Sequence, residues 1–334
     1  MSILDGSERG WPWNQAMEPV IADQQGTYPR ISIVMPSYNQ ARFIEGAIRS
    51  VICQRYPNTE LVIIDGGSTD GTIEILRRYE PWIAYWISES DRGQAEALNK
   101  GYRRSTGDLI GWQNTDDFYG AGSFFACARA ASEAPDAAIY HGRTWMVDSN
   151  ADVIREIPSG PLDLRVAAEL FLATGLPNQS AFIRRIALGA GPYVDENYMY
   201  AMDTELALRL VLGGCKIKYV DGISGYYRIH ADAKTSAVSS NSLVEACRLY
   251  LKTLERPDLP PYMREPILKA VRTFIIALFR KGDAANFRTY AKQYLVAGGM
   301  GSVDLDLHAR IMFSLVGTQS LTRLMRWVDR IAEA

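Results

Sequence analysis

Short apolar runs alternate with segments of helical spacing over the first third of the chain, and this alternation constrains the fold most. The runs Ile31–Met35 and Leu61–Ile64 have the length and composition of buried strands. After each run, apolar residues recur three and four apart, over 43–52 and 73–79. Repeats of strand and helix are typical of a parallel sheet covered by helices. The sequence therefore predicts an α/β domain.

The predicted strands end in polar residues. The pattern predicts that the first strand stops at Pro36, that Asn39 caps the helix after it, and that the second helix follows Asp70. Further strands are expected over 83–87 and 109–112, with a helix over 95–104 between them. Ligands of such sheets bind at the carboxyl ends of the strands. The polar residues at those ends are Ser37, Tyr38, Asn39, Asp65, Ser88 to Asp91, and Asn114 to Asp117.

The character of the sequence changes near Ser240. From there on, wide helical stripes such as Ile267–Phe279 replace the strand–helix alternation. This part carries 14 basic and 9 acidic residues, a net charge of +5, against −7 for the rest of the chain. At 334 residues the chain exceeds what one core usually supports. We expect a leader over 1–29, an α/β domain over 30–235 and a helical C-terminal extension over 236–334.

Charge and apolar content argue against several classes of protein. The net charge of −2 does not indicate a nucleic-acid partner. The longest apolar run, Phe274–Phe279, is far shorter than the roughly 20 residues that span a bilayer. The first 13 residues include acids and lack the apolar core of a secretory signal, and the four cysteines show no paired spacing. We therefore expect a cytoplasmic protein.

Four carboxylates fall at or just after predicted strand ends: Asp65, Asp91, Asp116 and Asp117. Acids that converge on one edge usually need a cation or a donor-rich ligand, because like charges repel. Oxygen ligands favour Mg²⁺ or Mn²⁺, and no Cys/His cluster indicates zinc. The alternative is that Asp65 only caps a helix and Asp117 only starts a turn. The chain has no GxxxxGK[ST] segment, so a P-loop nucleotide site is not supported, and no GxGxxG follows the first strand, which argues against a nicotinamide dehydrogenase.

Four segments carry a family resemblance. They are Ile33–Asn39, Ile64–Thr72, Asp91–Gly101 and the stretch from Gly107 to Asp117. In this order and spacing they resemble the motifs of family 2 glycosyltransferases, which have the GT-A fold, a mostly parallel sheet between helices. The resemblance covers about Arg30 to Arg228. It implies transfer of a sugar, with inversion, from a nucleotide-diphosphate donor to a hydroxyl of a glycan or lipid-linked acceptor, in surface polysaccharide or glycoconjugate biosynthesis.

The resemblance also assigns roles on the donor side. It implies that Tyr38 flanks the nucleotide base, that Asp65 accepts a hydrogen bond from the base, and that Asp91 lies near base and ribose. The donor-binding set that it implies is Ser37, Tyr38, Asp65, Asp91, Asn99 and Asn114. For Asn99, a plain structural role within its helix is the alternative. Asn114 stands where the family's DxD motif has its first acid, and its amide brings no charge to a metal.

The remaining roles concern the metal and the acceptor. The resemblance implies that Asp116 binds the metal and that Asp203 is the catalytic base, which removes the proton of the attacking hydroxyl. The alternative is that Asp203 caps its helix while Glu205 and Arg209 form an i,i+4 pair. His230 resembles a late metal ligand, and imidazole beside oxygen ligands suits Mn²⁺. Its alternative is an ordinary surface or structural histidine.

Two further alternatives remain open. The neutral Asn114 would suit a non-catalytic nucleotide-sugar or glycan-binding module on the same fold. The C-terminal helices either pack on each other and on the α/β domain, which we favour, or present a basic patch to anionic lipid as a peripheral membrane contact. The residues of that patch are Arg264, Arg272, Arg280, Lys281 and Arg288.

Overall fold

The structure is a computed structural model that describes residues 12–14, 28–160, 176–189, 191–231, 233 and 239–298, with isolated positions 307, 310, 311 and 314. The chain divides into two compact units, 1–236 and 237–334. The leader expected over 1–29 and the helical patterns expected beyond residue 300 lie mostly outside the described residues. The division into three parts therefore stays a prediction.

The described part of the first unit contains nine strands and six helices. The strands are β1 Ile31–Ser37, β2 Thr59–Asp65, β3 Tyr85–Ser88, β4 Leu109–Trp112, β5 Phe118–Tyr119, β6 Ala137–Val147, β7 Val153–Ile157, β8 Ala181–Arg184 and β9 Lys216–Arg228. The helices are α1 Ile44–Ile52, α2 Thr72–Tyr79, α3 Gln94–Arg104, α4 Ser123–Glu133, α5 Arg185–Leu188 and α6 Met202–Leu212. Short 3₁₀ turns cover Glu80–Trp82 and Asn178–Ser180.

All nine strands join one sheet in the order β3-β2-β1-β4-β8-β6-β9-β5, with β7 paired to β6. The first four strands are parallel, as the sequence predicts. Beyond β4 the sheet is mixed, because β8 pairs antiparallel to both β4 and β6 while β6 and β9 run parallel. The predicted α/β fold class is confirmed, and its parallel part is limited to β1–β4 and the β6–β9 pair.

Both faces of the parallel half are apolar and covered by helices. On one face, Ile31 and Ile33 of β1 join a large core that includes Ile48 of α1 and Leu76 of α2. On the other face, residues of β2 pack with Ala97 of α3. Successive strand residues point to opposite faces, so a continuous apolar run is what a sheet between helices requires.

The first strand runs through Pro36 to Ser37, so the prediction that it stops at Pro36 is wrong. Pro36 pairs with Ile64 of β2 in parallel register. The Val34 carbonyl accepts from the Gln113 backbone N–H, and the Ser37 carbonyl accepts from the Gly66 N–H on the opposite side. Pro36 therefore faces the β4 side, just beyond the end of β4, where its missing N–H costs no ladder hydrogen bond.

Asn39 does not cap α1, contrary to the prediction. The residue before the helix is Phe43, and no side chain caps the helix there. Asn39 instead adopts a left-handed backbone (φ 51°), and its Oδ1 accepts from the Thr69 N–H at 2.9 Å. It thereby ties the loop after β1 to the loop after β2. A local sequence pattern cannot distinguish these two uses of an Asn, because both satisfy backbone N–H groups.

The second unit is helical where it is described. Its helices are α7 Ser240–Leu254, α8 Pro261–Arg280 and α9 Ala284–Gly298. The stripe predicted on α8 is buried: Ile267, Val271, Ile275 and Leu278 are fully enclosed. Among the described residues, no helix is both long and apolar enough to cross a membrane.

Candidate functional site

A cavity of about 780 Å³ lies at the carboxyl ends of the strands in the first unit. Six of the nine residues predicted for the site line it: Ser37, Tyr38, Asp91, Asn114, Asp116 and Asp203. The other three, Asp65, Asn99 and His230, are buried behind the lining. The structure therefore gathers most of the predicted site around one cavity, although the residues lie up to 166 positions apart in sequence.

One end of the cavity is formed by the loops after β1 and β3. Tyr38 presents a ring that is 61% exposed, while Ser37 is 5% exposed and its Oγ has no hydrogen-bond partner among the described residues. Asp91 accepts from the Gly93 N–H at 2.8 Å. A Cβ on Gly66 would lie 3.1 Å from a carboxylate oxygen of Asp91, so only glycine leaves that carboxylate its present room. Burial raises the pKa of Asp91, and the N–H of Gly93 opposes that shift.

Asp65 is fully buried at the end of β2. Its two oxygens accept from the N–H groups of Gly67 and Ser68, at 3.1 and 2.8 Å, and from the hydroxyls of Ser68 and Ser88, at 2.5 and 2.7 Å. Four donors fill the acceptor capacity of a carboxylate. A nucleotide base could therefore reach this carboxylate only if one of the serine hydroxyls turned away.

Asn114 is held by hydrogen bonds at both ends of its amide. Its Oδ1 accepts from Gln94 Nε2 at 2.7 Å and from Trp112 Nε1 at 2.8 Å, while its Nδ2 donates to Asp117 Oδ2 at 3.1 Å. The oxygen that would serve as a ligand already accepts two N–H groups. Asn114 therefore acts in this structure as a bridge between α3, the end of β4 and Asp117.

Asp116 and His230, 114 positions apart in sequence, meet beside the cavity. Asp116 Oδ2 lies 3.2 Å from His230 Nε2. The imidazole is 3% exposed and packs on the Phe43 ring, with ring centroids 4.6 Å apart. No described residue hydrogen-bonds His230 Nδ1.

Asp117 and Arg228 lie directly behind this pair. Asp117 is 1% exposed and accepts from Asn114, from Gln179 Nε2 at 2.9 Å and from the Arg228 N–H at 2.8 Å. Burial, with the neighbouring Asp116 charge, raises the pKa of Asp117, and the three N–H donors oppose that shift. The Arg228 guanidinium donates to the Asp116 carbonyl at 2.8 Å and lies over the Phe43 and Phe118 rings. These contacts fix the backbone that carries Asp116.

Two donors that a divalent cation accepts lie together here. Asp116 Oδ2 and His230 Nε2 are 3.2 Å apart, but no group of three or more His, Cys, Asp or Glu among the described residues could hold a metal ion. A cation at this pair would therefore need phosphate oxygens and water to complete its shell. The described lining includes the carboxylates of Asp91, Asp116 and Asp203 and no Lys, Arg or His. A diphosphate entering such an acidic cavity would need a cation to offset the repulsion.

Asp203 lies in the first turn of α6 and lines the cavity. It is half-buried, and its Oδ1 accepts from the Thr204 N–H at 2.7 Å. Glu205 and Arg209 form the expected i,i+4 pair, with Nε and Oε1 2.9 Å apart. The observed residue before the helix is Ala201, with no side-chain cap. The pair is therefore present, but Asp203 is not the cap of its helix.

Asn99 does not reach the cavity lining. It is 1% exposed on α3, and its side chain hydrogen-bonds the Val194 backbone and Glu196. The donor contact predicted for Asn99 is therefore not what its position supports. The alternative, a structural helix residue, agrees with the geometry.

Sequence reasoning missed the residues that hold the predicted ones in place. Gln94 and Trp112 fix Asn114, and Gln179 and Arg228 fix Asp117. Arg228 stands two positions before His230 in the sequence. This proximity is the local signal that could have suggested that Arg228 supports the site. Gln179 carries no such signal, because its partner lies 62 positions away.

Residues 32–189 match the model of the family described as Glycosyl transferase family 2, which confirms the resemblance found in the sequence. An uncharacterized glycosyltransferase of Mycobacterium tuberculosis is 28% identical over 185 residues, covering 55% of this chain and 70% of that protein. TuaG of Bacillus subtilis, a putative teichuronic acid biosynthesis glycosyltransferase, is 38% identical over 92 residues, covering 27% and 37%.

Solved structures share the fold. The structure of S. aureus TarS 1-349 in complex with UDP-GlcNAc superposes with a TM-score of 0.65 at 16% identity, covering 85% of this chain and 84% of that one. The mannosyltransferase PcManGT of Pyrobaculum calidifontis, in complex with GDP-Man and Mn²⁺, gives a TM-score of 0.55 at 22% identity, covering 92% and 86%. The GT-A fold predicted for the first unit is that of these transferases.

Proposed function

We propose that this chain, whose residues 32–189 match glycosyl transferase family 2, transfers a hexosyl-type sugar from a nucleotide-diphosphate donor to a hydroxyl of a glycan or lipid-linked acceptor. The observation that carries the proposal is the cavity itself. One continuous space is bordered by Asp116, which contacts the buried His230, by the polar loops after β1 and β3, and by Asp203. Two of the structural neighbours hold nucleotide sugars, UDP-GlcNAc and GDP-Man, which supports the choice of donor class.

Asp203 is proposed as the general base. Its carboxylate borders the cavity and can accept the proton of an acceptor hydroxyl as that oxygen attacks the anomeric carbon. A single in-line displacement of this kind inverts the anomeric centre. Asp116 and His230 would hold Mn²⁺ or Mg²⁺, which when bound supplies positive charge for the leaving diphosphate.

The donor end is proposed at Tyr38, Ser37 and Asp91. The exposed Tyr38 ring offers a face on which a base can stack, and the Ser37 hydroxyl at the same end of the cavity has no hydrogen-bond partner within the described part of the chain. The Asp91 carboxylate can accept from ribose hydroxyls. A role in surface polysaccharide or glycoconjugate synthesis and a cytoplasmic location belong to the same proposal, with the named function of TuaG as support for the first.

The decisive experiment measures sugar release and transfer from UDP-, GDP- and dTDP-sugars, with and without Mn²⁺. Wild type should turn over at least one donor in a metal-dependent way, and Asp116→Ala should lose both turnover and Mn²⁺-dependent nucleotide binding. The matched control is Asp195→Asn, a loop acid whose Oδ1 accepts from Asn197 and which does not line the cavity. Full activity of Asp116→Ala would contradict the metal assignment.

A non-catalytic binding module is the second candidate. It is favoured by Asn114. The Oδ1 of this residue accepts from two N–H donors, and its neutral amide adds no charge beside Asp116 and His230. This candidate predicts nucleotide-sugar binding by calorimetry without release of nucleoside diphosphate. The enzyme proposal predicts both.

A further inference from the structure

The segment between β8 and α6 is tied to α3 by one buried side chain. Asn99 Nδ2 donates to the Val194 carbonyl at 3.0 Å, and the Val194 N–H donates to Asn99 Oδ1 at 3.1 Å. The amide thus pairs with both polar groups of one backbone residue, as a neighbouring strand would. The same Nδ2 donates to Glu196 Oε1 at 3.0 Å. These three bonds, made by a side chain that is 1% exposed, define the Asn99 clamp.

The same segment is tied to the helix that carries Asp203. The Arg209 guanidinium on α6 donates to the Tyr193 carbonyl at 2.7 Å and pairs with Glu205. Tyr193 is buried, and its ring stacks on Tyr102 of α3 with centroids 5.5 Å apart. Residues 193 and 194 therefore contact α3 on one side and α6 on the other.

This arrangement bears on both ends of the cavity. The loop that enters α3 carries Asp91, and residues 199 and 200, which follow the clamped segment, line the cavity together with Asp203. Arg92 of the same loop reaches Glu196 at 2.6 Å. Because Arg92 is 77% exposed, that ion pair is worth little by itself, and the buried amide bonds carry the connection.

We propose that Asn99 is a positioning residue that fixes the start of α6, and with it Asp203, relative to the donor end of the cavity. The inference rests on the function proposed above. In this proposal Asn99 acts in the reaction by positioning Asp203, and not through the donor contact predicted from the sequence. A base displaced by about 1 Å can lose a large share of its effect, so the clamp should act on turnover rather than on nucleotide affinity.

The test compares Asn99→Ala with the control Arg103→Ala, an exposed residue of the same helix. The donor is whichever UDP-, GDP- or dTDP-sugar wild type turns over, with Mn²⁺ present and the temperature held about 10 °C below the lowest Tm. For Asn99→Ala we expect kcat to fall about tenfold or more, affinity for the matching nucleoside diphosphate to stay within about twofold, and the Val194 amide to exchange with deuterium about tenfold faster. Arg103→Ala should change none of these.

A charge swap separates positioning from simple loss of stability. Asn99→Asp places a carboxylate against both Glu196 and the Val194 carbonyl and should lower kcat. Adding Glu196→Gln removes only the first repulsion, because the new amide can donate to Asp, and should raise kcat at least threefold above that of Asn99→Asp. Glu196→Gln alone keeps the oxygen that accepts from Asn99 and should stay within about threefold of wild type.

Faster exchange at Val194 with unchanged kcat would overturn the inference, and so would a parallel loss of nucleotide affinity. If wild type turns over no donor, the proposed function fails and this inference fails with it. Activity in wild type with a silent Asn99→Ala would contradict the inference alone.

Discussion

At the scale of single residues, the proposed chemistry depends on Asp203, the carboxylate in the first turn of α6 that lines the cavity. Asp203→Asn keeps the size of the side chain and its oxygen toward the Thr204 N–H, but removes the proton acceptor. We expect donor affinity near wild type and a loss of turnover of about 10² or more, the usual scale for a general base. Steady-state kinetics with calorimetric nucleotide binding measure both.

The control for that variant is Glu205→Gln, two positions away on the same helix. It weakens the pair with Arg209 but leaves Asp203 in place. Normal turnover of Asp203→Asn, together with loss in Glu205→Gln, would show that the base has been assigned to the wrong residue.

Asn114 offers a prediction in which the structure changes the expectation from sequence. A charged residue at this position would be expected to strengthen metal binding, yet Asn114 Nδ2 donates to the buried Asp117. Asn114→Asp replaces that bond with two carboxylates in contact, which costs stability unless a cation lies between them. We therefore expect a lower Tm than wild type without metal and a larger rise in Tm on adding Mn²⁺.

Thermal shift over a Mn²⁺ titration measures this effect, with Ca²⁺ and Na⁺ at matched ionic strength as controls. Gln94→Ala is the matched variant, since it removes one donor to Asn114 without adding charge. A Tm for Asn114→Asp that equals wild type in the absence of metal would contradict the expected repulsion.

At the scale of secondary-structure elements, the amino ends of the strands are joined by a buried carboxylate. Glu60 of β2 accepts from the Ser32 hydroxyl of β1, from the Thr106 N–H at 2.7 Å and from Thr106 Oγ1 at 3.0 Å, and it pairs with Arg30. Burial disfavours the charge, but these donors prevail and lower the pKa of Glu60 below 4.5. This end of the sheet lies opposite the cavity.

Glu60→Gln should therefore destabilise the protein in a pH-dependent way. Because the folded pKa is the lower one, the ionised carboxylate contributes stability above the unfolded value of about 4.5, and the contribution is lost as the pH falls through the folded pKa. We expect a loss of about 1–3 kcal/mol in the free energy of unfolding near pH 7, shrinking toward zero in acid. Urea titrations at several pH values measure it, and equal losses at pH 7 and pH 3 would contradict this account.

The elements themselves were predictable where local chemistry decides them. The strand at 109–112 and the helix over 95–104 lie within a residue of their predicted bounds, because apolar spacing and burial agree there. The strands after β4 were not predictable in their pairing. The contact of β8 with both β4 and β6 depends on residues 40 or more positions apart, which no local pattern encodes.

The candidate site likewise contains residues that the sequence could predict and residues that it could not. Residues next to a predicted strand end, such as Tyr38 and Asp116, were found because parallel strands end at one edge. For Asn99 the sequence left a donor contact and a structural role open, and the side chain contacts the Val194 backbone, because a helical position does not show what a distant loop will place against it. Gln179 and Arg228 contact Asp117 across 62 and 111 positions of sequence, so the sequence pattern alone could not predict these contacts.

At the scale of the whole molecule, the charge difference between the two halves invites a test of membrane contact. In the second unit the large apolar side chains of α8 are turned inward, and Arg264 and Arg288 donate to the carbonyls of Ala297 and Ser314. Among the described residues of this unit, Tyr262 and Val296 are the exposed large apolar side chains, which is too few for an extended apolar face toward lipid. We expect the full-length protein to stay in solution with anionic liposomes at about 0.15 M salt.

Co-sedimentation at low and high salt measures this, with Arg280→Glu/Lys281→Glu as the informative variant and Lys252→Glu, on the exposed side of α7, as its control. Salt-sensitive pelleting that the double variant abolishes and the control retains would contradict the expectation. That outcome would support peripheral binding through the end of α8, at about 1 kcal/mol for each basic group.

The short ladder between β5 and β9 has a consequence for how such a chain can change over time. Phe118 stacks on Tyr226, and the ladder brings Asp116 and His230 together at the two ends of a 114-residue excursion. The excursion between these ends also carries Gln179, Asp203 and Arg228, so it is not free to change independently of the site. Arg228 donates to the carbonyls of Asp148 and Ser149 in the turn between β6 and β7, and also to the Asp116 carbonyl. A change in that turn, which does not line the cavity, is therefore transmitted through one guanidinium to the backbone that carries Asp116.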